Sequence, residues 1–327
     1  MSEITITTNK VARTMGESIG IWGWEVPLYL FLGGLTAGIM ILSAIMMLRK
    51  KGKEFPLSTN RIILLAPVLI SLGMFALFLD LEHKLYAWRF YTAFKITSVM
   101  SWGSWILVFV YPFTFFLILG TLKEGFPNAY IWIETKIKGA KSSRYIEWFN
   151  KLMSFALRHK TRFAWGTLVV GVLLGIYTGI LLSAFGARPF WNSAILGPLF
   201  LVSGVSTGAA IIILLSKDHG ERLFFTKIDL GLLITEALLI ILFVIGMATS
   251  TAMHKTAANF ILGGSMTPVF WIFILGIGIS LPAFLEIMEL KGREIPASLA
   301  AILVLMGGLL LRFIMVNAGQ MISWLPY

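Results

Sequence analysis

Cysteine is absent from the sequence. The protein therefore cannot ligate an iron–sulfur cluster, form a disulfide or present a thiol nucleophile. Charge is also scarce. Asp, Glu, Lys and Arg make up 13% of the 327 residues, about half of the roughly 25% usual in soluble domains. Histidine occurs four times, as His83, His159, His219 and His254. None falls in the middle of an apolar run or forms a spaced pair on one, so no haem is expected between the helices and no metal in this chain. HExxH, a P-loop with its Lys and Gly-x-Ser-x-Gly are all absent, which leaves hydrolase and ATPase chemistry without residues. The first 20 residues, MSEITITTNKVARTMGESIG, lack the apolar core of a signal peptide. Against these absences stand 57% hydrophobic residues and a mean hydropathy of +0.85. Those proportions exclude a soluble enzyme, a disordered protein and a nucleic-acid-binding domain, and leave a polytopic membrane protein. The net charge of +11 then serves topology and contact with the anionic lipid bilayer, and no nucleic acid partner is expected.

A membrane span needs about 20 mostly apolar residues. Eight runs qualify, at 22–48, 61–81, 100–122, 163–186, 194–215, 228–252, 268–290 and 296–318. The expected fold is all-α, a polytopic membrane helix bundle with eight transmembrane helices, of which the last seven are continuous. Strand barrels are excluded because their segments are near 10 residues and alternate. The sequence divides into a periplasmic N-terminal tail 1–21, helices one to three within 22–122, a cytoplasmic loop 123–162, helices four to eight within 163–318 and a periplasmic C-terminus 319–327. Loops 49–61, 123–162, 216–227 and 291–295 carry 19 of the 27 Lys and Arg; the opposite set carries 7, and Arg312 lies inside the eighth span. By the positive-inside rule the basic loops are cytoplasmic and both termini periplasmic, in a bacterial inner membrane. The 123–162 loop mixes Ile131, Trp132, Trp148 and Phe149 with basic residues, the pattern of an amphipathic helix on the inner leaflet; a docking site is the alternative. No convincing internal repeat joins the two halves.

Ionisable residues within spans are costly and mark function. One group gathers at the outer surface. Glu25 and Tyr29 open span one, Asp80 and His83 close span two, Arg89 follows, Tyr177 lies in the outer half of span four, and Arg312 lies inside the outer end of span eight. Trp22, Trp88 and Trp191 fit an aromatic belt, but a belt needs neither carboxylates nor a buried Arg. A second group lies toward the inner side. Asp229 and Glu236 are seven residues apart on one helical face, and Glu286 and Glu289 close span seven. Such a ladder can carry protons or be neutralised by Arg222 and Lys227. Small-residue runs, among them Gly33-Gly34 to Gly38 and Gly204 to Gly208, allow close helix packing; a glycine wall with Gly34 facing Tyr177 would also suit a planar ring.

These residues carry a resemblance. Trp22–Gly38, Asp80–Trp105, Gly175–Ser183 with Arg188 to Trp191, Leu199–Ala209 and Gly307–Gln320 resemble, in order and spacing, the NrfD/PsrC family of quinone-binding membrane subunits, in its eight-helix NrfD branch. The resemblance implies a menaquinone/menaquinol pocket toward the periplasm. Tyr177 stands at the family's pocket tyrosine, Glu25 and Tyr29 at its first-helix polar positions, and Asp80, His83 and Arg89 beside the pocket. Asp229 and Glu236 stand at an acidic pair. It also implies a periplasmic ferredoxin-like four-cluster iron–sulfur partner, and through it a molybdopterin or multihaem cytochrome catalytic subunit. One departure is clear: family members commonly follow the Asp with Leu-Gly-Arg, whereas Asp80 is followed by Leu81, Glu82 and His83.

On these grounds the protein is expected to be the quinol dehydrogenase subunit of a respiratory complex. Tyr177 would hydrogen-bond a quinol oxygen, Glu25, Asp80 or His83 would take protons, Tyr29 and Gly34 would line the pocket, and Arg89 or Arg312 would hold the carboxylates or steady an anionic ring oxygen. Asp229 and Glu236 would form a proton path. A proton-coupled transporter and a passive anchor for a periplasmic complex are the alternatives.

Overall fold

The computed structural model describes residues 22–81, 83–92, 94–139, 143–186, 188–293 and 296–321. The N-terminal tail 1–21, the last residues, 322–327, and Glu82 of the family departure lie outside them. Eight helices are long and apolar enough to cross a membrane: α1 Glu25–Leu48, α2 Leu57–Asp80, α3 Val99–Gly125, α4 Lys160–Ser183, α5 Leu196–Leu215, α6 His219–Thr249, α7 Val269–Leu290 and α8 Ser298–Met321. No strand occurs among the described residues.

One span begins well before its expected start. The sixth run, read from residue 228, starts nine residues earlier, at His219. Asp218 caps it, its carboxylate accepting from the Glu221 amide at 2.7 Å and satisfying one of the orphan donors of a helix start. Glu221 is buried and accepts from the Ser58 amide at 2.8 Å, so the polar start of α6 is held against the start of α2. Nor are all spans uniform α-helix. α2 opens with a wide π turn over Leu57–Arg61 and a tight 3₁₀ turn over Ile62–Leu64. Pro67, just beyond, has no N–H to donate to Ile63, so the α-helical ladder cannot run unbroken through that point. α7 is π-helical over Val269–Ser280.

The helices form two four-helix groups. α1 to α4 pack around one another, as do α5 to α8, and α1, α4, α5 and α8 make most of the contacts between the groups. α1 is central: 83% of its apolar window is buried, against 33% for α2. Its crossing with α5 is built on glycine. A side chain on Gly38 would strike the carbonyl of Gly204, and one on Gly208 would come within 2.7 Å of the Gly38 backbone. Small residues four apart on each helix let the backbones touch where lipid offers no competing hydrophobic drive. α7 and α8 meet the same way, Gly278 against Gly307. The faces turned away from the core carry exposed Phe75, Phe109, Trp165 and Ile234, which suits lipid.

The first and last described segments are tied together. The Trp22 amide donates to the Gln320 side chain at 2.8 Å, and Gln320 donates back to the Trp22 carbonyl at 3.1 Å. Trp191 is buried, stacks on Trp22 with centroids 5.2 Å apart, and donates its indole N–H to the Met315 carbonyl at 2.8 Å. Trp22 and Trp191 thus clasp the bundle, whereas Trp88 is exposed. At the opposite end the basic 123–162 segment forms helices Pro127–Gly139 and Ser143–Arg158. Trp132 and Trp148 on them are exposed.

Candidate functional site

The first four-helix group encloses a cavity of about 460 Å³ at the Trp22–Gln320 end. α1 supplies Tyr29, α2 Asp80, α3 Gly103 and Ser104, and α4 Tyr177. Phe75, Phe78, Phe90 and Leu107 make the rest of the wall largely apolar. Among the described residues the Tyr177 hydroxyl has no hydrogen-bond partner, although the residue itself is buried. Its ring lies across Gly103, where any side chain would overlap the phenol. The orientation of Tyr177 is therefore decided by a missing side chain on another helix.

A second cavity of about 630 Å³ adjoins the first, sharing Asp80, Leu81, Phe90 and Met100, and adds His83, Arg89 and Lys95. Arg89 lies over the Tyr86 ring at 4.5 Å and makes no ion pair with Asp80 or Glu25 among the described residues. Glu25 does not line either cavity but lies within electrostatic reach of Asp80. Tyr91, on the short helix Arg89–Thr92, closes the first cavity. Burial, and after it the Tyr111 phenol, hold its hydroxyl above the ordinary range, so Tyr91 stays a neutral donor.

Arg312 and Gly34 are not among the residues lining these cavities. Arg312 belongs to a second polar cluster, in the other four-helix group, and Gly34 of α1 lies against it. Arg312 is fully buried. It donates to the Ser203 hydroxyl, to the Gly308 carbonyl at 3.0 Å and to the Phe200 carbonyl at 3.1 Å. Its guanidinium lies 4.9 Å from the Phe200 ring centre. A side chain on Gly34 would meet it at 3.2 Å. Glu236, also buried, is its charge partner. Asp229 accepts from the Ser206 hydroxyl at 2.6 Å and lies beside Glu286. Glu286 neighbours Glu289, whose carboxylate pairs with Arg222 at 3.3 Å. The polar line runs Arg222, Glu289, Glu286, Asp229, Glu236, Arg312, with Ser206 and Ser203 of α5 beside it. It crosses a largely apolar bundle interior. Asp229 and Glu236 do share a face, as their spacing requires, but sequence spacing could not find their partners on α5, α7 and α8. Gly103 carried no signal at all.

Residues 12–323 match the family model described as polysulphide reductase, NrfD. The chain belongs to the NrfD family. It is 30% identical over 316 residues to a component of the polysulfide reductase of Wolinella succinogenes, covering 92% of this protein and 94% of that one. It is likewise 30% identical over 318 residues to protein NrfD of Escherichia coli, covering 92% and 95%. A subunit of the selenate reductase of Mesobacillus selenatarsenatis is 25% identical over 335 residues, covering 91% and 74%. Eight apolar helices and NrfD membership make this an integral membrane protein, and relatives in the family are named as parts of reductases.

Proposed function

We propose that this NrfD-family protein is the membrane subunit of a respiratory oxidoreductase and oxidises menaquinol in the Tyr177 cavity. Electrons would pass to an iron–sulfur partner of the ferredoxin-like type docked at the Trp22–Gln320 end, and through it to a molybdopterin or multihaem catalytic subunit. That end is taken as periplasmic, and the basic loops as facing the cytoplasm, on the charge asymmetry. The observation that carries the proposal is the convergence of Tyr29, Asp80 and Tyr177, from α1, α2 and α4, on one largely apolar cavity. Its volume falls in the range of roughly 300–1,000 Å³ usual for small-molecule sites, and aromatic walls with a few polar groups suit a planar quinone ring.

Quinol supplies two electrons and two protons when it is oxidised. Tyr177, whose hydroxyl has no partner among the described residues, donates to a ring oxygen. Asp80 stands at the junction of the two cavities and takes the two protons in turn, passing each toward His83 and the outer surface. Glu25, within electrostatic reach, keeps the region negative and favours departure of protons from the ring. Arg89, held over Tyr86, offsets that charge. The apolar wall excludes water from the ring face.

A second element concerns proton coupling. The line from half-buried Arg222 through Glu289, Glu286, Asp229 and Glu236 to Arg312 joins the basic-loop end to the α1–α5 crossing. Gly34 of α1 touches its Arg312 end, and the adjacent Gly33 lies 3.4 Å, as a would-be side chain, from Thr178, the neighbour of Tyr177. This supports a proton path through Asp229 and Glu236 alongside the quinone site, a feature shared with the transporter alternative. A passive anchor would need neither cavity nor line. Titration of the purified protein with a fluorescent quinol analogue tests the proposal: saturable binding, weakened in Tyr177→Phe, is expected. Binding that never saturates would reject the quinone site and leave transport or anchoring.

A further inference from the structure

The end of the bundle opposite the Tyr177 cavity holds another hollow, of about 640 Å³. It lies where α1 ends, α2 begins and α3 and α4 come together. Lys50, Lys53 and Lys160 line it with Met47, Leu48 and Pro56. Lys160 is paired with Glu124 at 3.1 Å. Lys50 and Lys53 have no carboxylate partner among the described residues. The floor is made by Thr59 and Asn60, in the π turn that opens α2. Thr59 is 3% exposed and Asn60 4%, yet the Thr59 hydroxyl and the Asn60 side-chain carbonyl have no hydrogen-bond partner. Buried polar atoms are rarely left so in native proteins.

The hollow thus combines unpaired cations at the rim, an apolar side, and a buried hydroxyl and carbonyl oxygen lacking partners at the floor. Unpaired lysines call for a phosphate. An orphan carbonyl calls for a donor, which a bare phosphodiester cannot supply and a headgroup hydroxyl can. The apolar wall, at the end of a membrane-spanning helix, calls for the start of an acyl tail. We infer that this hollow binds one anionic phospholipid whose headgroup carries a free hydroxyl, of the phosphatidylglycerol class. Lys50 and Lys53 meet its phosphate, Asn60 and Thr59 its hydroxyl, and Met47 and Leu48 its acyl tails. Basic pockets between spans on the cytoplasmic side are suited to such lipids. The bound lipid would brace the π turn of α2, and so the end of the helix whose other terminus carries Asp80.

Native mass spectrometry of the full-length protein in detergent tests this, with phosphatidylglycerol, phosphatidic acid, phosphatidylcholine and inorganic phosphate each added separately. One phosphatidylglycerol should be retained per protein molecule, in preference to phosphatidylcholine, and should not be displaced by millimolar phosphate. Lys50→Gln and Lys53→Gln, both at the rim, should each weaken retention by about fivefold, the value of one cation at an anionic lipid surface. Lys151→Gln, on the separate helix Ser143–Arg158, should not. Asn60→Leu should abolish the preference for phosphatidylglycerol over phosphatidic acid. Equal retention of phosphatidylcholine, displacement by free phosphate, or loss of retention in Lys151→Gln equal to that in Lys53→Gln would each overturn the inference. The lysine variants keep the test valid should Asn60→Leu not fold.

Discussion

Replacing Tyr177 by Phe removes one oxygen from a ring that is otherwise held by packing. The hydroxyl has no protein hydrogen bond among the described residues, so the folded state loses no contact with it. Thermal stability should therefore stay within about 0.5 kcal/mol of wild type. The ligand loses a donor. A neutral hydrogen bond is worth about 0.5–1.5 kcal/mol net, which is roughly a 2- to 10-fold loss of quinol-analogue affinity. A hydrogen bond to an oxygen that carries charge is worth about 1.5–3 kcal/mol, so quinol oxidation by the assembled complex should fall further, by roughly 10- to 150-fold. The assay pairs a fluorescence titration of the isolated protein with quinol-dependent turnover of the complex. A larger fall in turnover than in affinity is expected, with an unchanged unfolding midpoint. Turnover and affinity both at wild-type values would refute the role given to the hydroxyl. A lowered midpoint matching the loss would show instead that Tyr177 is a packing residue.

The other predictions concern residues that shape the cavity or lie along the buried polar line. Gly103→Ala places a methyl group where the Tyr177 phenol lies; it should lower analogue affinity at least tenfold through a misplaced ring, at an overpacking cost of about 1–3 kcal/mol. An affinity equal to wild type would show that the ring position is unimportant. Arg312→Met should destabilise the bundle by about 3–5 kcal/mol because it leaves Glu236 buried without its cation. Adding Glu236→Gln should recover most of that loss in a thermal melt, and simple additivity would mean the two charges are not coupled. Asp229→Asn keeps an acceptor for Ser206 but cannot relay a proton. In proteoliposomes carrying a pH dye, proton movement per electron should fall while analogue affinity is unchanged; an unaltered ratio would remove Asp229 from the path.

Much of the architecture was legible because lipid is a simple solvent. Every backbone polar group of a span must be satisfied within its helix, so long apolar runs can be read as helices with little ambiguity, and eight runs became eight spans. Boundaries failed where local chemistry overrode hydropathy. α6 begins in the polar stretch after Asp218 because that residue caps it and Ser58 of α2 holds Glu221, a contact that no window of hydropathy contains. The π turns of α2 and α7 were equally hidden.

The sequence by itself singled out the candidate residues. In so apolar a protein each ionisable group stands out, and helical periodicity placed Asp229 and Glu236 on one face. Family motifs singled out Tyr177, Asp80 and Tyr29. Tertiary structure alone decided which of them meet. Residues alike in depth along their helices, such as Arg312 and Tyr177, lie in different four-helix groups on either side of the glycine crossing of α1 and α5. Depth is encoded by position along a span, whereas azimuth and neighbour depend on which small residues allow which helices to touch. For that reason Arg312 answers to Glu236 and Ser203, and the tyrosine pocket is shaped by a glycine on α3.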